Sequence, residues 1–399
     1  VALPLPDKPS IAVLPFENMT GDPKQEYFSD GFTEEIITSL AKISSLFVIA
    51  RNSSFTYKGK PVKVQQVSEE LGVRYVLEGS IQKSGNRVRI NAQLIDAISG
   101  KHLWSEHYDR QLKDIFALQD EITLKILTAL QVNLTSGEQT RVWAKGTKNL
   151  DAYLKVMQAR ESTLMGNAAA NARARQLAEE AIDLDPRYAK AFGIIGTSYV
   201  MDFLLYSSKS PKESLAQAVE WLQKAVAMDD SLADAHARLA HAYTFVNRHE
   251  EAIAEAEKAM AMDPNSAEVH NAACYALRFS GKAAEAVTAC KKAIRLEPFA
   301  PGNYYGNLGM AYFQKGGDCE EAVKACEEGL KRAPESMIVH FMATTVFSSC
   351  GREEEARKTA KELLRIQPKF SAESFGKKLP QNKQEDKDRI VEALRKAGL

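Results

Sequence analysis

Prolines at 264, 298, 334 and 368 return every 34 or 36 residues, and Asp230 holds the equivalent place one period earlier. A spacing that long and that regular belongs to a repeated supersecondary unit, which buries its apolar side only by stacking on copies of itself. Each proline closes a helix that it cannot continue. Inside the period, small residues fall where two antiparallel helices must come close. Leu239, Ala240 and Tyr243 face Ala252, Ala256 and Ala259, and Ala273, Cys274 and Leu277 face Ala286, Cys290 and Ala293. Leu308, Gly309 and Tyr312 then face Ala322 and Cys326, and Ala343 and Phe347 face Ala356 and Ala360. With Pro186 opening the series and extra residues stretching the second unit around 206–214, the count is six helix pairs over residues 147–380. Ile390, Val391 and Leu394 then form an amphipathic helix within 381–399, expected to cap the exposed end of the stack.

The amino-terminal half has other periods. Ser10–Phe16 is a short apolar run ended by Pro15, the pattern of a buried strand, and a loop follows from Asn18 to Pro23. Thr33 is placed to cap a helix carrying Ile36, Ile37, Leu40 and Ile43. Leu46–Ala50 reads as a second strand, and Val64, Val67 and Leu71 as a helix stopped by a left-handed Gly72. From Arg74 the period changes to two: Val88, Ile90, Ala92 and Leu94 alternate with polar residues in the middle strand of a hairpin series. A helix with Leu118, Ile122, Ile126 and Leu130 on one stripe ends this α/β domain, which spans 10–146 after a Pro-rich linker at 1–9. The opening suits an extended tether, and the chain is expected to be a piece of a longer protein.

Lys plus Arg and Asp plus Glu both total 52, so there is no net field to draw in phosphate backbones, and nucleic acid is not expected as a partner. Apolar runs fall short of the roughly 18 residues that cross a bilayer. The five cysteines, all in the second half, lack metal-ligand spacing and are expected to be separate reduced thiols filling small packing positions. That expectation favours the cytoplasm; a membrane helix just before residue 1 would instead put the segment in the periplasm.

The second half resembles tetratricopeptide repeat proteins through the residues named above. The first half resembles the TolB amino-terminal-type domain, through Ile11–Asn18, Tyr27–Gly31, Tyr75–Ser80 and Ala92–Ala97. Together they are similar to the carboxyl-terminal regulatory region of bacterial class III adenylate/guanylate cyclases. The resemblance implies a two-part α+β chain, an α/β domain followed by an all-α repeat superhelix, acting as a regulatory or scaffolding module in signalling.

No catalytic set is found. Phe28-Ser29-Asp30-Gly31-Phe32-Thr33 echoes the metal strand of class III cyclases, but two residues between aspartate and glycine are missing and no second carboxylate follows. Phosphate loops, zincin helices and nucleophile elbows are absent, and His236 and His241 lie about 140° apart round a helix, wrong for one metal. Neither metal nor cofactor is expected, and the segment reads as non-enzymatic, with any cyclase domain lying upstream in the parent. In tetratricopeptide stacks the first helix of each pair lines the inner groove. On this sequence the inner positions are His241, Thr244, Phe245, Asn271, Tyr275, Arg278, Phe279, Met310, Phe313, Gln314 and Phe341. That aromatic lining suits a peptide or protein partner with apolar anchors. Ala237 and Gly306 stand where a clamp for a terminal carboxylate would need basic or amide side chains, which disfavours chaperone tails. An intramolecular contact with an upstream domain and a homodimer are further partner readings. The alternative function is a small-ligand sensor, with Arg51, Asn52 and Glu78 as pocket residues near a strand's carboxyl end.

Overall fold

A computed structural model of the chain describes every residue except Val1, Lys145, Tyr206, Lys209 and Lys378. It forms a mixed α/β region followed by an all-α array of helix pairs. Two compact units result, Val1–Ala235 with Ala261–Ser266 and Leu296–Pro298, and His236–Met260 with Ala267–Arg295 and Phe299–Leu399.

The first unit begins with β1 (Ser10–Val13), β2 (Glu17–Asn18), α1 (Glu26–Ala41), β3 (Phe47–Val48), α2 (Arg51–Phe55), α3 (Val64–Leu71), β4 (Tyr75–Ser84), β5 (Arg87–Asp96), β6 (Lys101–Gln111) and α4 (Ile115–Ala129). The sheet order is β3-β1-β4-β5-β6, with β2 also on β4; β1 runs parallel to β3 and β4, and β4-β5-β6 is an antiparallel meander. Alternation along β5 does what its period requires: Val88, Ile90, Ala92 and Leu94 are buried in one core with Ile122 and Ile126 of α4. Gly72 closes α3 at φ 62°, the left-handed turn expected of it.

Two local expectations are corrected. Asn18, expected to open a loop, instead pairs with Ile81, and Glu17 before it with Ser80, as β2. Thr33 is not a cap, because the apolar stripe continues upstream through Phe28 and Phe32 and α1 starts at Glu26. Buried in mid-helix, the Thr33 hydroxyl donates to the Ser29 carbonyl (2.8 Å) and accepts from the Phe16 amide (3.0 Å). The Ser29-Asp30-Gly31 segment lies on this helix, where Asp30 accepts from the Lys58 ammonium at 2.7 Å.

After α5 (Ser136–Val142), the first repeats are α6 (Leu150–Leu164) with α7 (Ala168–Leu184), then α8 (Ala189–Leu204) with α9 (Pro211–Met228). They share the α/β core. Tyr153 and Met157 of α6 belong to the same buried cluster as α1 and α4, and Gln119 donates to the Tyr153 hydroxyl at 2.7 Å. Gly31 makes the approach feasible, since a Cβ there would lie 2.2 Å from the Met157 methyl carbon. Charged contacts surround the seam: Glu34 pairs with Arg160, and Glu35 with Lys190 at 3.1 Å. The turn at Asp263–Ser266 adds polar anchors, as the Asn265 side-chain amide donates to the carbonyls of Ala41 (3.1 Å) and Ile43 (2.8 Å) at the end of α1.

The repeats continue as α10 (Ala233–Phe245) with α11 (His249–Met262), α12 (Ala267–Phe279) with α13 (Ala283–Leu296), α14 (Gly302–Lys315) with α15 (Cys319–Arg332), and α16 (Met337–Ser349) with α17 (Glu353–Ile366). Two shorter elements end the chain, α18 (Ala372–Gly376) and α19 (Gln384–Lys396). Small residues set the helix approach: a Cβ on Gly302 would lie 2.4 Å from the Gly329 carbonyl oxygen and 2.7 Å from the Ala333 methyl. Because a backbone atom cannot yield as a flexible side chain does, Gly302→Val should destabilise the protein by about 2–3 kcal/mol in urea unfolding. An unchanged midpoint would show that the two helices part without cost.

The cysteines depart from the expectation of five separate thiols. At helix-pair contacts the small positions come close enough to join Cys274 to Cys290 (Cα separation 5.2 Å) and Cys319 to Cys350 (5.5 Å), leaving Cys326 as a buried free thiol.

Candidate functional site

The helical period sets one stripe on each first helix of the second unit. Residues four apart lie on the same helix face, which places His241 with Phe245 on α10 and Asn271 with Tyr275 and Phe279 on α12. The structure brings these stripes together. The His241 ring meets the Tyr275 ring edge-on at 4.9 Å between centroids, Phe245 lies 5.7 Å from Tyr275, and Tyr275 lies 4.6 Å from Phe279. Arg278 spreads its guanidinium over Phe279 at 4.1 Å. Thr244, by contrast, is fully buried and donates to the Ala240 carbonyl within its own helix.

Burial governs the electrostatics of this face. Among the described residues neither ring nitrogen of His241 has a hydrogen-bond partner, and burial, with the Arg238 charge nearby, pushes its pKa down to about 3. Arg278 is 2% exposed and its Nε has no hydrogen-bond partner among the described residues. Burial lowers its pKa to about 10, against the opposing influence of Tyr275 and Asp386. Asn307 of α14, not singled out from sequence, donates to Asn271 at 3.4 Å and links adjacent first helices.

Farther along, Met310, Phe313, Gln314 and Phe341 are all buried, and the chain's own carboxyl-terminal segment contacts the last three. Phe375 lies 4.5 Å from Phe341, and Phe370 5.3 Å from Phe375. Gln314 donates to Gln381 at 3.2 Å, and the Asn382 amide to the Phe279 carbonyl at 2.9 Å. Arg389 donates to the Phe313 carbonyl at 3.0 Å while its guanidinium sits 4.5 Å from the Phe313 ring. Ile390 and Leu394 are completely buried on the inner side of α19, which packs on α16. Sequence reasoning placed these residues on one side of the first helices and expected a capping helix within 381–399, but not the contacts between the two. The signal was present in Phe370 and Phe375, two aromatics beyond the last repeat with no helix pair of their own, followed by the apolar stripe of α19.

The α/β candidates are not brought to one pocket. Arg51 stacks on Phe55 (3.8 Å) and forms ion pairs with Glu34 (3.4 Å) and Asp30 (3.8 Å). Asn52 donates to Glu297 at 2.9 Å. Glu78 instead accepts from Gln93 (2.5 Å) and lines a cleft of about 1080 Å³ on the sheet with Lys58, Lys60, Asn91 and His107. Among the described residues no cluster of three His, Cys, Asp or Glu side chains could hold a metal ion, and no helix is long and apolar enough to cross a membrane.

Comparison with known proteins follows the two-part fold. Residues 7–125 match the family model described as HilA/YgeH-like transcriptional regulator, second domain, where the sequence phrases had pointed to a TolB-like domain. Residues 233–266 and 302–336 each match a tetratricopeptide repeat. A curated relative named putative adenylate cyclase 3, from Rhizobium meliloti (strain 1021), is 48% identical over 248 residues; the match covers 62% of this chain and 42% of the relative's length. Among solved structures, Pseudomonas aeruginosa pilF is 23% identical (51% of this chain, 88% of that one, TM-score 0.39). A chain of the APC/C hetero-tetramer Cut9-Hcn1 is 17% identical (71% and 54%, TM-score 0.46). The chain thus joins a domain similar to the second domain of HilA/YgeH-like transcriptional regulators to tetratricopeptide repeats, and it is homologous to a putative adenylate cyclase.

Proposed function

We propose that this chain is the protein-interaction and regulatory part of a larger bacterial signalling protein in which a nucleotide cyclase domain precedes it. The chain itself is proposed to be non-enzymatic, with the first-helix face from His241 to Phe341 binding a peptide or protein. The observation that carries this is the ring series His241, Phe245, Tyr275 and Phe279 with Arg278 among it, running across successive first helices. Aromatic and arginine side chains are the anchors that dominate peptide affinity. The 48% identical relative supports the cyclase setting. The TolB-like character of residues 10–146 is part of the same proposal, resting on its phrases, as are an intramolecular contact with the upstream domain and a homodimer. Cytoplasmic placement rests on the cyclase relationship alone, because the paired cysteines withdraw the argument from reduced thiols.

Selection of a displayed peptide library on the full chain tests the face. Selected peptides should bind the wild type and lose at least tenfold in affinity on a folded Tyr275→Ala/Phe245→Ala chain, read by fluorescence anisotropy. Equal affinity for both chains would reject the face as the binding surface.

The second reading, a small-ligand sensor, is favoured by one observation, the polar cleft around Glu78. Screening a metabolite panel by thermal shift tests it. Reproducible stabilisation that Glu78→Gln abolishes would support the sensor, and absence of any stabilising compound would remove it.

A further inference from the structure

We propose that residues 379–396 are a displaceable internal occupant of the first-helix face, standing in for a partner that is an amphipathic helix with a carboxylate on its first turn and apolar residues four and eight positions later. This rests on the peptide-binding reading of that face and adds what the peptide looks like and what it must displace.

The pattern is read from the occupant itself. On α19, Asp386, Ile390 and Leu394 fall four residues apart on one buried stripe, joined by Ala393. The remaining side chains of the helix are mostly charged, as a helix that works both bound and released requires. Its lead-in crosses α12 and α14 at their carboxyl-terminal ends, through Asn382 on the Phe279 carbonyl and Gln381 on Gln314.

Two features mark the contact as replaceable. First, polar atoms buried at it are left without partners: Nε of Arg278, Oε1 of Gln314 and Nε2 of Gln381. Each of these atoms is desolvated at the contact without a hydrogen bond in return, which lowers the cost of giving the contact up. Second, Asp386 is the carboxylate whose charge acts on Arg278, yet its ion pair is with Arg389 of its own helix at 3.4 Å, and among the described residues no hydrogen bond or ion pair joins it to Arg278. An incoming helix whose acid reaches the Arg278 guanidinium makes the bond that the occupant lacks, and charge-assisted bonds of that kind are the strong ones. The aromatic trio Phe341, Phe370 and Phe375 anchors the chain just before this segment through ring contacts in which residues 379–396 take no part.

The test uses the full chain and a fluorescein-labelled synthetic peptide of residues 379–399. Ile390→Asp/Leu394→Asp, which expels the inner stripe of α19, should bind the peptide at least tenfold more tightly than the wild type. Should that double variant fail to fold, Gln381→Ala/Arg389→Ala removes the contacts to Gln314 and Phe313, with the Arg389–Asp386 pair inside α19, and should give a gain of about threefold. Equal binding by released and wild-type chains, or none by either, would overturn the proposal. Library-selected peptides provide the separation from the parent reading. If they bind through Tyr275 but gain nothing when the tail is released, the face is a binding surface and the tail is not its competitor.

Discussion

Replacing Lys190 with methionine should cost the protein about 3–5 kcal/mol, the penalty of leaving a buried carboxylate without its partner. Glu35 and Lys190 are each 19% exposed and 3.1 Å apart. Desolvation would raise the Glu35 pKa, but Lys190 and then Arg160 outweigh it and hold it at about 2. A carboxylate so lowered contributes stability that is fully present above its unfolded value of 4.5 and is lost as pH falls toward 2. The gap between wild type and Lys190→Met in urea unfolding should therefore be wide at pH 7 and narrow progressively below pH 4.5. Glu35→Gln/Lys190→Met should recover more than half of the loss, because a neutral pair carries no unpaired charge. A gap under about 1 kcal/mol at pH 7 would mean that water screens the pair as it does surface ion pairs. The position matters for function because Glu35 sits on α1 and Lys190 on α8, so this pair helps to fix the first repeats to the α/β sheet.

Acid should weaken the protein through His241, and His241→Leu should remove that weakness. Burial lowers the imidazole from its ordinary 6.5 to about 3, so the unfolded chain takes up a proton over that interval and the folded chain does not. Stability tied to this residue is complete at pH 7 and falls as pH drops below 6.5; at pH 4.5 the loss is about 2–3 kcal/mol, at 1.36 kcal/mol per pH unit. The groups facing the ring supply no compensating acceptor: Arg238 on the same helix repels a proton, and the Tyr275 ring from α12 meets it edge-on. The leucine variant should exceed the wild type by about 2–3 kcal/mol at pH 4.5 and match it within about 1 kcal/mol at pH 7. Superimposable stability profiles from pH 7 to 4.5 would contradict the buried, unpartnered state of His241.

The fold was legible wherever one period governed a stretch of chain. The spacing of Pro264, Pro298, Pro334 and Pro368 announced helix pairs, and the alternation from Val88 to Leu94 announced the meander. Errors arose where a local signal competed with a longer one. Thr33 has the chemistry of a cap, but Phe28 and Phe32 extend its stripe upstream, and burial of two more aromatic side chains outweighs one capping bond. The candidate face was legible because helix spacing fixes which residues share a side. The contacts of the carboxyl-terminal segment with it were not, because Gln381 on Gln314 and Arg389 on Phe313 join residues 67 and 76 apart in sequence. No periodicity reports a contact at that range. Arg51 and Asn52 look like ligand residues at a strand end, yet Glu34, Asp30 and Glu297 already engage them, and Glu297 lies 245 residues from Asn52 in the sequence.

Hydrogen exchange of the full chain, with and without a library-selected peptide, reads the first-helix face and its occupant together. Slower exchange in α12 and α14, accompanied by faster exchange across Gln384–Lys396, is the expected result: the peptide gained the face and α19 gave it up. Protection elsewhere in the chain, with the exchange of α12, α14 and α19 unchanged, would show that binding does not use this surface.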